Sequence, residues 1–234
     1  GIMGGLVQDA ARAAELAELF PGALGDNGLP ERWTEEPLGR LAEQTTETVA
    51  PRDHAEEIFA HYSIPAYDGG QIPKLEAGAS ILSNKTIVPE GAVLLSKLNP
   101  EIERVWLVPQ GAGHRQICST EFLVYKASAI CNTSYLYCLF KEPSFREMLK
   151  GMATGTSKSH QRVSPRSLAQ RSVIFAGAEL STAFGSIADH LLNKSLHNRE
   201  EQQTLAATRD LLLPKLMSGE IRLREAEEIV EAAQ

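Results

Sequence analysis

The chain has 234 residues, 43% of them apolar and 23% charged, with a formal net charge of -7 at pH 7. That length suffices for one large domain or two modest ones, and the composition is that of an ordinary globular protein. No apolar run approaches the roughly 18 residues of a membrane helix, and the N-terminus has no secretory pattern. The three cysteines, Cys118, Cys131 and Cys138, lack C-x-x-C spacing. They point to free buried thiols in a reducing cytosol rather than to disulfides.

The charge is uneven. Residues 1–60 carry 12 acids and 4 bases, residues 61–171 carry 8 acids and 13 bases, and residues 172–234 carry 10 acids and 6 bases. Within the basic middle, residues 141–171 hold seven Lys or Arg against two Glu. A local basic footprint on an acidic protein is compatible with phosphate binding, and equally with a solvated face.

Taken in chain order, residues 6–20 (LVQDAARAAELAELF) place Leu6, Ala10, Ala13, Leu16, Ala17 and Phe20 on one helical face, and Pro21-Gly22 stops the run. The stretch PGALGDNGLPERW at 21–33 reads as a linker, with Trp33 and Leu38 expected to anchor the chain on the domain that follows. From 58 to 126, YSIPAY, ASILSNKTIV, AVLLSKL, RVWLV and QICSTEFLVYKA read as strands of an antiparallel or mixed sheet, separated by Gly- and Pro-containing turns. Residues 134–150 read as two short helices, with Ser134 as N-cap of the first and Pro143-Ser144 breaking the run and capping the second. SLAQRSVIF at 167–175 reads as extended.

Residues 176–213 then read as one long helix ended by Pro214, with a final helix at 220–233. Phe184, Leu191, Asn198, Leu205 and Leu212 recur every seven residues, and Leu180 and Ile187 fill companion positions. Lys194, Glu201 and Thr208 interrupt that companion row, so the seam is half written. Such a helix either packs on its own domain or pairs with another long helix, Asn198 fixing the register.

No catalytic constellation stands out. GAGHRQ at 111–116 lacks the third glycine of a dinucleotide loop, and no phosphate-binding P-loop is present. Asn99-Pro100 is followed by Glu101-Ile102, without the aromatic that an amino-methyltransferase motif needs. The pairs His54/His61 and His190/His197 have no thiol or acid cluster to complete a metal site. His160 has no visible nucleophile partner.

What does stand out is two sets of donors without acids. The loop GMATGTSKSHQRVSP at 151–165 offers Thr156, Ser157, Lys158, His160, Gln161 and Arg162, with Arg166 close by. A second set comprises Asn84, Lys85, Lys97 and Arg104. Hydroxyls, amides and cations contact phosphate oxygens, and Lys, Arg, Ser and Gln also pair with base edges. Ordinary polar loops have the same composition.

The stretches YSIPAYDGG, SNKTIVPEGAVLLSKLNPEIERVW, CSTEFLVYKA, FREMLKGMATGTSKSHQRVSP and NREEQQTLAATRDLLLPKLMSGEIRL, spanning roughly residues 62 to 224, resemble the specificity subunit of type I restriction-modification systems. The N-terminal LAELFPGALGDNGLPERW also resembles the segment leading into a target-recognition domain. The resemblance implies an α+β (mixed α/β) target-recognition domain followed by a long coiled-coil-forming helix. It divides the chain into an N-terminal helix and linker (1–32), a DNA target-recognition domain (33–175) and a long helix with a C-terminal helix (176–234). It implies a non-catalytic, cytoplasmic protein that reads one half of a bipartite duplex sequence and docks methyltransferase subunits, with a restriction subunit as a possible addition. S-adenosylmethionine and ATP would belong to those partners, and no cofactor or metal to this chain. Full subunits hold two recognition domains and two helices, whereas this chain has one of each. It reads as a half-subunit that dimerises through Leu180, Phe184, Ile187, Leu191, Asn198, Leu205 and Leu212, or as a fragment. As a straight helix, residues 176–213 would span roughly 55 Å, on the order of 16 base pairs. Two rival expectations are a protein-interaction module built on the long helix and the recognition fragment of a larger methyltransferase-nuclease.

Overall fold

The computed structural model describes residues 10–111, 113–155 and 161–224, and the chain divides into two compact units after Leu191. The first unit opens with α1 (Ala10–Glu18), β1 (Thr34–Pro37), the single turn α2 (Leu38–Leu41), β2 (Ala42–Thr45), β3 (Thr48–Val49), β4 (Ile58–Tyr62) and α3 (Ile64–Asp68). It continues through β5 (Lys74–Ala77), β6 (Lys85–Ile87), β7 (Val93–Ser96), β8 (Val105–Leu107), β9 (Arg115–Cys118) and β10 (Phe122–Ala127). The helices α4 (Thr133–Lys141), α5 (Pro143–Met152) and α6 (Pro165–Ala169) follow, then β11 (Ser172–Phe175) and the start of α7 (Ala178–Ser218).

Among the described residues three sheets form: β1-β11, β2-β10-β7-β8 and β3-β6-β9-β4-β5. Every pairing is antiparallel except β4 with β9. The four- and five-stranded sheets share one core, in which Ala60, Tyr62 and Cys118 meet Leu94, Trp106, Phe122 and Val124. Trp106 is 1% exposed and is met edge-on by Tyr62 at 4.7 Å, Tyr67 at 5.5 Å and Phe122 at 6.3 Å. Such offset aromatic contacts add to the burial of apolar area. The other face of the four-stranded sheet is covered by α4, where Tyr125 meets Phe140 at 5.3 Å. β7 and β8 are therefore buried on both faces, which is why VLLS and VWL are apolar without alternation.

Several sequence expectations change. YSIPAY is a strand only at Tyr62: Ser63 caps α3 by accepting from Ala66 N–H, and Pro65 sits in the first turn, where its missing N–H costs nothing. ASILSNKTIV holds a strand only at β6, and the continuous QICSTEFLVYKA is β9 and β10 joined by a turn in which Phe122 N–H donates to Ser119 O. The cap of α4 is Asn132, not Ser134, because its side-chain oxygen accepts from the N–H groups of Ser134 and Tyr135. Ser134 instead donates to Asp189 of α7. Glu142 rather than Ser144 caps α5. SLAQRSVIF begins in α6, capped by Ser164, and becomes extended only at β11.

Helix α7 does not stop at Pro214. It runs to Ser218 and ends at Gly219, whose φ of +74° suits a residue without Cβ. Asp210 and Pro214 are both exposed, so the carbonyl that the proline cannot serve is left to water. In the first unit α7 packs through Leu180, Ser181, Gly185 and Ala188. The second unit, described to Arg224, consists of the remainder of α7 and the turn after it. The final helix expected at 220–233 lies largely outside the described residues. No described helix is long and apolar enough to cross a membrane.

Candidate nucleic-acid interface

Beyond the end of β7, the backbone continues the sheet as a narrow strip. Ser96 is the last β7 residue paired with β10, opposite Phe122. Lys97 N–H then donates to Glu121 O at 2.9 Å, and Val163 N–H donates to Lys97 O at 3.0 Å. Asn99 N–H donates to Gln161 O at 2.9 Å, with Asn99 at a φ of +49°, a conformation asparagine tolerates better than most residues. Thr154 and Arg162 exchange both backbone bonds, at 3.0 and 2.9 Å. The segments 119–121, 97–99, 161–163 and Thr154 thus lie side by side, and Val163, 2% exposed, fixes the strip to the core.

The arrangement joins parts of both donor sets. Lys97 comes from the second and Gln161 and Arg162 from the first, brought together by backbone bonding that no local pattern announces. Arg166 is exposed on α6, just beyond. Thr156, Ser157, Lys158 and His160 lie outside the described residues. Lys85 opens β6 of the five-stranded sheet, with Asn84 just before it. Lys85 donates to Ser83 Oγ at 2.7 Å, and burial pushes its ammonium below the ordinary lysine range.

Arg104 does not belong to the surface. It is 9% exposed and bidentate to Asp68, Nε to Oδ1 and Nη2 to Oδ2, both at 2.8 Å. That pairing holds the Asp68 carboxyl below its usual range and raises the guanidinium. A buried guanidinium whose Nε and Nη2 are both engaged by a carboxylate cannot also grip a phosphate without being pulled from the core.

The acids that organise these cations escaped the sequence reading. Glu121 accepts from Arg162 Nε at 3.0 Å and Nη2 at 2.9 Å, although 41 positions separate them. The Arg162 side chain, with Lys97 adding to it, holds the Glu121 carboxyl below its usual range. Glu76 pairs with His61 Nδ1 at 2.7 Å, yet burial still lowers the imidazole. The thiols are free, and burial pushes Cys118 up to about 12 and Cys131 up to about 11.

The residues assigned to helix pairing divide. Leu180 is 9% exposed and Ile187 half-buried; with Leu16, Phe20 and Trp33 they line an apolar cavity inside the first unit. Phe184 meets Tyr135 edge-on at 5.9 Å. These three serve their own domain, because the first turns of α7 cover it. Leu191 and Leu205 are 47% and 49% exposed, Asn198 is exposed, and Leu212 is 6% exposed.

No family model matches the chain. Over 87 residues it is 31% identical to the type I restriction enzyme HindI specificity subunit of Haemophilus influenzae, a stretch covering 37% of this chain and 19% of that protein. Its fold matches the HsdS subunit from Thermoanaerobacter tengcongensis with a TM-score of 0.58, over 82% of this chain and 50% of that one, at 22% identity. Its fold is that of a type I specificity subunit. A structure of a type I restriction-modification system, solved for its complex assembly and conformational transition, matches at a TM-score of 0.58 and 22% identity, over 81% of this chain and 49% of that one. The type I S subunit from M. genitalium matches at 0.53 and 15%, over 84% of this chain and 48% of that one. The chain spans about half the length of each of these solved chains. The resemblance carried by YSIPAYDGG through the long helix is borne out, as is the mixed fold with its long C-terminal helix.

Proposed function

We propose that this chain is a non-catalytic DNA-recognition subunit of a type I restriction-modification system, reading one half-site and docking methyltransferase subunits. The observation that carries the reading is the strip in which Lys97, Gln161 and Arg162 meet at the end of a type I specificity fold. In this reading Lys158, Arg162 and Arg166 contact phosphates and set the register, while Ser157, Gln161, Asn84 and Lys97 reach base edges. Phosphate contacts position a protein without selecting sequence, while each good bidentate base contact discriminates by about 1–3 kcal/mol.

The exposed Leu191, Asn198 and Leu205 would pair with α7 of a second copy, giving two identical readers about a two-fold axis and an inverted-repeat target. S-adenosylmethionine and ATP would be used by methyltransferase and restriction subunits, leaving this cytoplasmic chain without a cofactor of its own.

The test is selection from a randomised duplex library by the purified chain, with and without a methyltransferase subunit, at about 50 and 200 mM salt. Enrichment of an inverted repeat with a fixed gap supports a dimeric half-subunit; a single short half-site supports reading by one domain. Arg166→Ala should lower the salt slope of binding by about 0.9. Absence of enrichment under all conditions refutes the reading.

A further inference from the structure

The strip that is to face a polyanion contains an acid. Glu121 is 25% exposed and Arg162 45% exposed, so their bidentate pair lies at the surface, where a phosphate could take the carboxylate's place. The guanidinium fork fits either anion. The pair is not what closes the loop: the backbone bonds of Thr154 with Arg162 and of Asn99 with Gln161, and the buried Val163, already do so. Glu121 therefore has little to do as a structural brace, and its carboxylate is an electrostatic liability for any DNA surface unless its charge is kept engaged.

Resting on the DNA-reading function above, we infer that Glu121 is a specificity-determining residue, an internal anion that withholds Arg162 from the phosphates of non-cognate duplex. On random sequence the strip gains only phosphate contacts, and a backbone phosphate must compete with a bidentate carboxylate for Arg162. On the correct half-site, a base-edge contact from the neighbouring Gln161 brings a phosphate close enough for Arg162 to exchange partners. Arg162 thus adds affinity only where the sequence is right. Glu121 acts through Arg162, as a positioning residue.

The experiment uses the full chain, a pool of random-sequence duplexes and the library-selected duplex. Glu121→Gln should raise affinity for the random pool by up to about fivefold, the range an exposed ion pair can withhold. Its salt slope should steepen by about 0.9, the signature of one added phosphate contact. In the Glu121→Gln background, Arg162→Gln should remove the added pool affinity and weaken binding to the selected duplex. That double variant should return the pool slope to the wild-type value, and Glu179→Gln, which removes an exposed acid elsewhere, should leave the slope unchanged. Glu121→Asp should keep wild-type discrimination. An unchanged pool slope in Glu121→Gln, an equal steepening in Glu179→Gln, or a steepened slope retained by the double variant overturns the inference while leaving DNA reading intact. Should the wild-type chain show no salt-dependent duplex binding, with or without the methyltransferase subunit, the underlying reading fails and takes the inference with it.

Discussion

Gly185→Ala sets two effects of opposite sign against each other in the middle of a helix. Replacing glycine by alanine in an exposed helix interior stabilises by about 1 kcal/mol. Here a Cβ would meet Asn132 Nδ2 at 2.2 Å and Cγ at 2.3 Å, distances no real contact reaches. Asn132 cannot simply turn aside, because its Oδ1 caps α4 and its backbone N–H donates to Ser181 Oγ at 2.9 Å. Displacing it forfeits the cap, about 1 kcal/mol, and overpacking adds about 1–3 kcal/mol. After the helix gain is subtracted, the variant should be destabilised by about 1–3 kcal/mol. For a unit of this size, each kcal/mol lowers Tm by about 2–4 °C. In the Asn132→Ala background the obstruction is gone, and Gly185→Ala should then stabilise by about 1 kcal/mol. Urea unfolding of the four proteins measures the coupling directly. A stabilised single variant, or equal effects in both backgrounds, would refute the close approach of α7 to α4.

The Asp68–Arg104 pair should make stability fall in acid. Asp68 has a depressed folded pKa, so its contribution is complete above the ordinary carboxylate range and lost as pH drops through the lower folded value. Asp68→Asn should lower stability at pH 7 by about 1–3 kcal/mol by leaving Arg104 underpartnered, and urea midpoints should converge with wild type below about pH 4. Constant separation across that range would contradict the pairing. At pH 8 a thiol with the Cys118 value is ionised to about one part in ten thousand; Cys118 and Cys131 should therefore resist iodoacetamide in the folded chain and react after unfolding, as mass spectrometry would report. Trp106→Ala should cost about 3–5 kcal/mol and remove the blue-shifted part of the fluorescence, since Trp106 is 1% exposed whereas Trp33 is half-buried.

Much of the fold was legible where a local signal coincides with the tertiary demand. The apolar strands β7, β8 and β10, the helix break at Pro143 and the period-seven row of α7 follow from residue pattern alone. The pattern misled where two structures share one composition. YSIPAY is β-branched and aromatic enough for a strand, but Ser63 and Pro65 start a helix there. Pro214 is a helix breaker whose lost bond costs little on an exposed helix.

The candidate interface divides along the same line. Sequence determined that Lys97, Gln161 and Arg162 are donors in acid-poor stretches, because side-chain chemistry is a local property. Only the tertiary structure decided that these donors adjoin, that Arg104 is buried against Asp68, and that Glu121 holds Arg162. It also decided that Leu180 and Ile187 serve the domain on which α7 begins. The physical reason is that charge pairing and burial depend on distance in space. The contacts that set them here are made between residues tens of positions apart in the chain, where no periodicity or spacing rule connects them.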